Sequence, residues 1–391
     1  MSISIEELNR MNPDSYQIID IRDEAEIGHG AIPGAVAVAT EEIEGNEKID
    51  FSKKLVICCS RGKYSVDVAE ELSEKGIDAE SLEGGYIAWL IDNMKQKEAA
   101  EKAGEGSFAK DVEQSLRKKF RKSIWCKFTK AINEYELVKP GDKIAVCISG
   151  GKDSMLMAKL FQELKRHNKF DFEVKFLVMD PGYSPANRQV IEENAKRLEI
   201  PIEIFESDIF ESVYNVEKSP CYLCARMRRG YLYSHAQKMG CNKIALGHHY
   251  DDVIETILMG MLYSAQFQTM MPKLHSTNFE GMELIRPMYL IKESAIKAWR
   301  DTNGLHFIQC ACRFTENCVS CGGGRGSKRD EMKELVAQFR NTSSVIETNI
   351  FNSVRDINLR TVMGYHKDGE YYNFLDDYDQ RGNKGVDKEK E

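Results

Sequence analysis

No stretch of the 391-residue chain approaches eighteen uninterrupted apolar residues, which excludes a membrane-spanning helix. The opening run, MSISIEELNRMNPDSYQ, lacks the basic flank and apolar core of a secretory leader. These absences predict a cytoplasmic chain with no membrane partner, in a reducing compartment. A disulfide framework is therefore not the expected role of its eleven cysteines. No internal repeat is present either.

What is present is ordinary for a globular protein: 42% apolar and 30% charged residues, with length enough for two or three domains. The net charge of −8 is unevenly spread. Residues 1–100 carry 21 Asp/Glu against 10 Lys/Arg, a net of −11, so the remainder is mildly basic at +3. Any nucleic-acid surface is expected on the body and not on the first domain.

Short apolar runs alternate with helical periods. YQIIDI (16–21) and KLVICC (54–59) read as buried strands, and 65–75 as an amphipathic helix ending at Gly76. Residues 1–95 form a small α/β unit with a parallel sheet. Residues 96–110 are charged and Gly/Ala-rich, a linker with some helix. Across 111–350, KIAVCIS, EVKFLVMD, IEIFESD and KIALGH alternate with helices, predicting a doubly wound parallel sheet with ligands beyond its carboxyl ends. Residues 351–391 are a C-terminal extension whose end, DDYDQRGNKGVDKEKE, is expected to be disordered.

Leu116, Phe120, Ile124, Phe128 and Ile132 recur every fourth residue, with no acid from Ser115 to Lys130. One face should pack. The other, with Arg117, Lys118, Lys119, Arg121 and Lys122, is either a solvated face or a surface for nucleic-acid phosphates, and the lack of any acid favours the second.

Ser149-Gly150-Gly151-Lys152-Asp153-Ser154 lies between a strand and a helix. Glycines let backbone approach an anion, and the helix start supplies free N–H groups and a positive dipole end. Neither Walker nor dinucleotide glycine spacing is present in this loop. The complete string resembles the PP-loop of ATP pyrophosphatases, which implies ATP and release of pyrophosphate. Gly247-His248-His249-Tyr250-Asp251-Asp252 ends another strand, where carboxylates suit Mg²⁺ and phosphate and can also cap a helix. Asp180 closes the second strand, where adenosine is expected.

Cys126, Cys147 and Cys241 read as small core residues. The others cluster: Cys221-x-x-Cys224, Cys310-x-Cys312 and Cys318-x-x-Cys321. By spacing alone, two CxxC pairs also fit a four-thiolate zinc site. PCYLCARMRRGYLYSHAQKMGCNKIALGHHYDD, then MPKLHS, IRPM and FIQC, resembles the TtcA-type tRNA 2-thiocytidine synthetase family over about residues 110–350. That resemblance implies a tRNA substrate and a [4Fe–4S] cluster on Cys221, Cys224 and Cys310, with one iron open for sulfide. Cys312 is an alternative third ligand. Cys318 and Cys321 depart from the family pattern, as a zinc pair, a redox dithiol or a fourth ligand.

Asp20-Ile-Arg22, Glu26, GAIPGA (30–35), Cys59-Ser60-Arg61-Gly62-Lys63-Tyr64-Ser65 and EGGYIAW (83–89) resemble a rhodanese domain. The resemblance implies that Cys59 carries a persulfide, with Cys58 facing inward. Backbone N–H groups and nearby cations stabilise the negative sulfur. Tyr64 stands where an arginine is common. Together the two halves imply an ATP-dependent tRNA sulfurtransferase fed by a cysteine desulfurase or other persulfide donor. The acidic domain is expected to swing on its linker, and a homodimer is compatible with the sequence. Cytidine C2 is the favoured target. Uridine, a small molecule, a non-catalytic sulfur relay or a zinc-bound RNA-binding protein are the alternatives.

Overall fold

A computed structural model describes residues 2–28, 30–102, 107–167, 170–207, 209, 220–308 and 328–383, with side chains for all of these except 25, 97–102, 220–225 and 379–383. The chain divides into two units, 1–253 with 271–328, and 254–270 with 329–391. Among the described residues no helix is long and apolar enough to cross a membrane.

In the first unit, β1 (Ser2–Ile3), β2 (Tyr16–Asp20), β3 (Val36–Ala37), β4 (Lys54–Cys58) and β5 (Ala79–Leu82) form an all-parallel sheet in the order β1-β5-β4-β2-β3. Helices α1 (Ile5–Leu8), α2 (Glu24–Ile27), α3 (Tyr64–Glu74) and α4 (Gly85–Lys102) accompany it. The two expected strands and the expected helix are there within a residue or two. The two-residue strands are too short to leave a period in sequence.

The second sheet has the order β10-β11-β9-β6-β7-β8, with β6 (Lys143–Ile148), β7 (Glu173–Asp180), β8 (Ile202–Glu206), β9 (Lys243–Ala245), β10 (Lys273–His275) and β11 (Glu283–Ile285). All pairs are parallel except β10 with β11. The chain leaves β6 towards β7 and later returns to place β9 on its other side. The crevice between β6 and β9 is thus a switch point, the usual ligand position in such sheets. Helices α5 (Phe108–Arg117), α6 (Cys126–Glu134), α7 (Lys152–His167), α8 (Pro185–Arg197), α9 (Pro220–Lys238), α10 (Tyr250–Ser264) and α11 (Glu293–Thr302) complete the layers.

The fourth-residue apolar stripe is fully buried: Leu116, Ile124 and Phe128 at 0%, Phe120 and Ile132 at 5% exposure. In a regular α-helix a step of four residues overshoots one turn by about 40°, so such a stripe would wander round the helix. The chain widens to a π-helix at Arg121–Trp125, where Phe120 and Trp125 donate to carbonyls five residues back. That wider turn takes up part of the drift.

Most of the described residues in the segment expected as a linker are helical. α4 runs on to Lys102 and α5 begins at Phe108. One cluster of buried side chains joins Ile18, Val56, Leu82 and Leu90 to Leu116, Leu156, Ile191 and Trp299. Trp89 meets His306 edge-on at 5.6 Å, Tyr86 stacks on Trp89 at 5.7 Å, and Arg300 donates to the Gly28 carbonyl. The first hundred residues therefore share their core with the second sheet.

The second unit contains the end of α10, α12 (Lys328–Thr342), α13 (Ile346–Ser353) and the hairpin β12 (Gly364–Lys367) and β13 (Glu370–Asn373). A 3₁₀ helix follows at Phe374–Asn383, so the segment expected to be disordered begins with structure. Residues 384–391 lie outside the described residues.

Candidate active site

The loop after β6 is a tight turn locked by its own serines. Ser154 accepts from the Ser149 N–H at 3.1 Å and donates to the Gly151 carbonyl at 3.0 Å. Gly150 has φ +85°, and a Cβ there would lie 2.5 Å from Ile191 Cγ1. Ile308, two residues before Cys310, closes the turn from the other side, its carbonyl 3.6 Å from where a Gly151 Cβ would sit.

Lys152 does not project into solvent. It is 3% exposed, and its ammonium lies 3.1 Å from Asp153 Oδ2 and 3.0 Å from Glu293 Oε1. Burial alone would push it down, but Asp153 and Glu293 outweigh burial and hold it above the lysine range. Burial likewise opposes the charge on Glu293, yet Lys152 and Lys297 hold that carboxyl well below its usual value.

The turn after β9 meets this group. His249 Nε2 is 3.8 Å from Asp153 Oδ1, and His249 Nδ1 is 3.5 Å from Asp252 Oδ2. Asp252 accepts from the His249 N–H at 2.9 Å, the return half of a capping box on α10. Asp251 reaches across to accept from the Glu293 N–H at 2.7 Å, tying the starts of α10 and α11 together. Asp180 accepts from the N–H groups of Gly182 and Tyr183 at 2.8 and 2.6 Å, shaping the turn after β7. Among the described residues, no three His, Cys, Asp or Glu side chains converge as metal ligands.

At the end of β4, Cys59 is cradled. Its sulfur accepts from the N–H groups of Gly62 at 3.2 Å and Ser65 at 3.4 Å, with Ser65 Oγ at 3.2 Å. Ser65 Oγ is 2.8 Å from Ser81 Oγ, and Ser60 donates to Glu26 at 2.6 Å. Gly85 (φ +59°) packs so closely that a Cβ would lie 2.2 Å from the Cys59 carbonyl. Cys58 is buried at 0% exposure, and burial pushes its thiol well up, leaving it an unreactive strand end. Tyr64 is 54% exposed at the rim.

Two families match the sequence, one described as a PP-loop domain over residues 121–313 and one as a rhodanese-like domain over 4–92. A curated tRNA-cytidine(32) 2-sulfurtransferase of Syntrophotalea carbinolica is 32% identical over 255 residues, 64% of this chain and 94% of the relative. One of the same name from Acaryochloris marina is 35% identical over 234 residues, 59% of this chain and 79% of the relative. The chain belongs to the TtcA-type family. Among solved structures, the U34-tRNA thiolase NcsA from Methanococcus maripaludis with its [4Fe-4S] cluster is similar with a TM-score of 0.46 at 19% identity, covering 59% of this chain and 76% of that one.

Of the thiols that the TtcA-type pattern singles out, Cys221 and Cys224 lie on α9 three residues apart, positions that share one helix face. That spacing fits two ligands to one metal or cluster. Cys310, Cys312, Cys318 and Cys321 lie outside the described residues. On the basic stretch, Arg117 is committed to Glu163, with Nη2 to Oε2 at 2.8 Å, and Lys119 donates to Thr302 at 3.0 Å. Lys118, Arg121 and Lys122 are exposed. Glu293 was not singled out from sequence, and Arg286 stood there only inside the IRPM string. Glu293 had one local signal, an acid in the first turn of a helix, but nothing in sequence pairs it with a lysine 141 positions earlier.

Proposed function

We propose that this TtcA-type chain is an ATP-dependent tRNA sulfurtransferase that replaces O2 of a cytidine with sulfur. The observation that carries the reading is the meeting of the Ser149–Ser154 turn with His249, Asp251 and Asp252 at the β6/β9 crevice, in a chain that also cradles Cys59. The names of its relatives support tRNA and cytidine as substrate.

The base oxygen attacks the α-phosphorus of ATP and pyrophosphate leaves. The backbone N–H groups at the start of α7 hold that leaving group, and buried Lys152 adds fixed positive charge beneath it. Asp153, Asp251 and Asp252 are the carboxylates available to Mg²⁺, which takes one or two carboxylates and completes its shell with phosphate and water. A sulfur nucleophile then attacks C2, and AMP departs with the oxygen, giving the carbon a leaving group it otherwise lacks. Asp180 and the turn after β7 take the adenosine. Cys59 accepts the incoming sulfur from a cysteine desulfurase as a persulfide, and its release as sulfide takes two electrons from a dithiol. Cys221, Cys224 and Cys310 would hold a [4Fe–4S] cluster, which when bound supplies an open iron for sulfide.

The test is anaerobic purification with iron, acid-labile sulfide and zinc analysis of wild type and Cys221→Ala, followed by AMP release and mass spectrometry of the tRNA. Iron lost in the variant, with tRNA-dependent AMP and 2-thiocytidine, is the expected result. Zinc without iron would make the thiol pairs structural, and AMP release indifferent to tRNA would remove the thiolation reading. Thiolated uridine would keep the chemistry and replace the base.

A further inference from the structure

Five buried cations of the first unit come with counter-ions. Lys152 pairs with Asp153 and Glu293, Lys159 with Glu113, Lys243 with Asp142 and Glu283, Arg22 with Asp20, and Arg300 with Asp301. Arg286 differs. It is 5% exposed, yet it makes no ion pair with a carboxylate among the described residues. Its Nε donates to His248 Nδ1 at 3.4 Å and its Nη1 to the Met271 carbonyl, both neutral acceptors. Burying a guanidinium without an anion is costly, so such a residue marks a place where an anion arrives.

The position narrows the anion. Arg286 directly follows β11, on the same carboxyl edge as the ATP turn, and the Ile285 carbonyl accepts from the Leu246 N–H at 3.0 Å. β9 lies between β11 and β6, so Arg286 stands two strand spacings, about 10 Å, from the strand that carries the Ser149–Ser154 turn. It also stands on the side away from β7 and Asp180. ATP held at β6 and β7 leaves this side of the crevice to the second substrate. Arg226 and Arg229 on α9 are exposed and continue the positive charge outwards, while Arg228 donates to Tyr183 at 3.2 Å. Burial, with Arg229 adding like-charge repulsion, lowers the Arg286 pKa to about 10 against a weaker opposing pull from Asp252, which makes no ion pair with it. An arriving anion would relieve both effects.

We propose that Arg286, with Arg229 beside it, is a subsite for one backbone phosphate of the RNA next to the base being activated. This rests on the tRNA reading above. Arg286 acts by positioning: it fixes the register of the strand, so that the target base falls over the ATP turn and its neighbours do not. The partly buried fork suits a phosphate bidentately, with the arginines of α9 drawing the strand in.

The test is equilibrium tRNA binding from 50 to 200 mM salt, together with the KM for ATP, on wild type, Arg286→Gln, Arg286→Lys and Arg229→Gln. Arg286→Gln should weaken tRNA binding about tenfold and lower the slope of log K against log salt by about one contact, 0.7–0.9. Arg286→Lys should restore the slope, and the KM for ATP should not move. Arg229→Gln, on an exposed side chain that cannot compromise folding, should lower the slope as well. Lost affinity with an unchanged slope would make Arg286 structural and overturn the inference. A raised KM for ATP with tRNA binding intact would assign the arginine to the nucleotide, which also overturns it. Unaltered binding in both variants, with wild type still thiolating tRNA, would overturn the subsite alone. Wild type failing to bind tRNA would instead remove the proposed function.

Discussion

The turn at Cys59 and the turn at Ser149–Ser154 look alike in sequence, each with glycine, lysine and serine between a strand and a helix, but they are built for different anions. On the proposed function, the anion at Cys59 is a persulfide carried on the chain itself. The N–H groups of Gly62 and Ser65 already point at the sulfur. At the second turn the anion must come and go. The serines bond to the turn itself, and Lys152 is parked between Asp153 and Glu293. A resident anion organises its own donors, whereas a diffusible one requires a site that is stable without it.

The largest expected effect separates the two turns outright. Cys59→Ser should abolish sulfur transfer from a persulfide donor while thiolation driven by added sulfide continues. A variant that still accepts labelled sulfur from a desulfurase would place the carrier elsewhere. The glycines come next. Gly85→Ala sets a methyl against the Cys59 carbonyl, backbone that cannot yield, and should cost about 3 kcal/mol in denaturant unfolding. Gly150→Ala meets side chains alone, Ile191 and Ile308, so about 2 kcal/mol is expected, mostly from its positive φ. Equal costs would mean that the two turns are equally rigid.

Glu293→Gln tests the parked lysine. It should cost about 2–3 kcal/mol, towards the low side for a broken buried pair because the Glu293 side chain is 23% exposed, and raise the KM for ATP about tenfold. The sign with pH follows from the shifts. The Glu293 carboxyl is lowered, so its contribution is complete above the usual value of 4.5 and fades as pH falls below it. The Lys152 ammonium is raised, so its share persists up to 10.5 and is lost only above that. Wild-type stability should therefore fall on acidification below about pH 4.5 more steeply than that of Glu293→Gln. Parallel curves would show that the pair contributes nothing. The smallest effect is Ser65→Ala, which leaves Gly62 and Ser65 N–H groups in place. It should cost about 1 kcal/mol and slow persulfide transfer about fivefold, and a complete loss would give the hydroxyl a larger role.

Much of this was legible because it is local. The run KIAVCI, buried on both faces, reads as a central parallel strand, and the fourth-residue stripe from Leu116 to Ile132 reads as a packed face. The π-turn that keeps that stripe aligned was not, since the pattern states only that something must correct the drift. The partners of Lys152 and the isolation of Arg286 arise between strands and helices distant in sequence, where no period reports them. Docking of the first domain escaped for a related reason. KQKEAAEKAGEGSF reads as a linker, and the aromatic pair that joins the two parts, Trp89 with His306, lies 217 positions apart.

That docking has a thermodynamic consequence. Because Leu90 and Met94 of α4 belong to the same buried cluster as Leu116 and Trp299, neither part has a complete core alone. The rhodanese-like and PP-loop domains should melt as one cooperative transition in calorimetry, not as two. The first domain is then not a module to be cut free. A fragment ending near residue 95 would expose an apolar face to water, and a destabilising change at either end would be felt across the whole of the first unit.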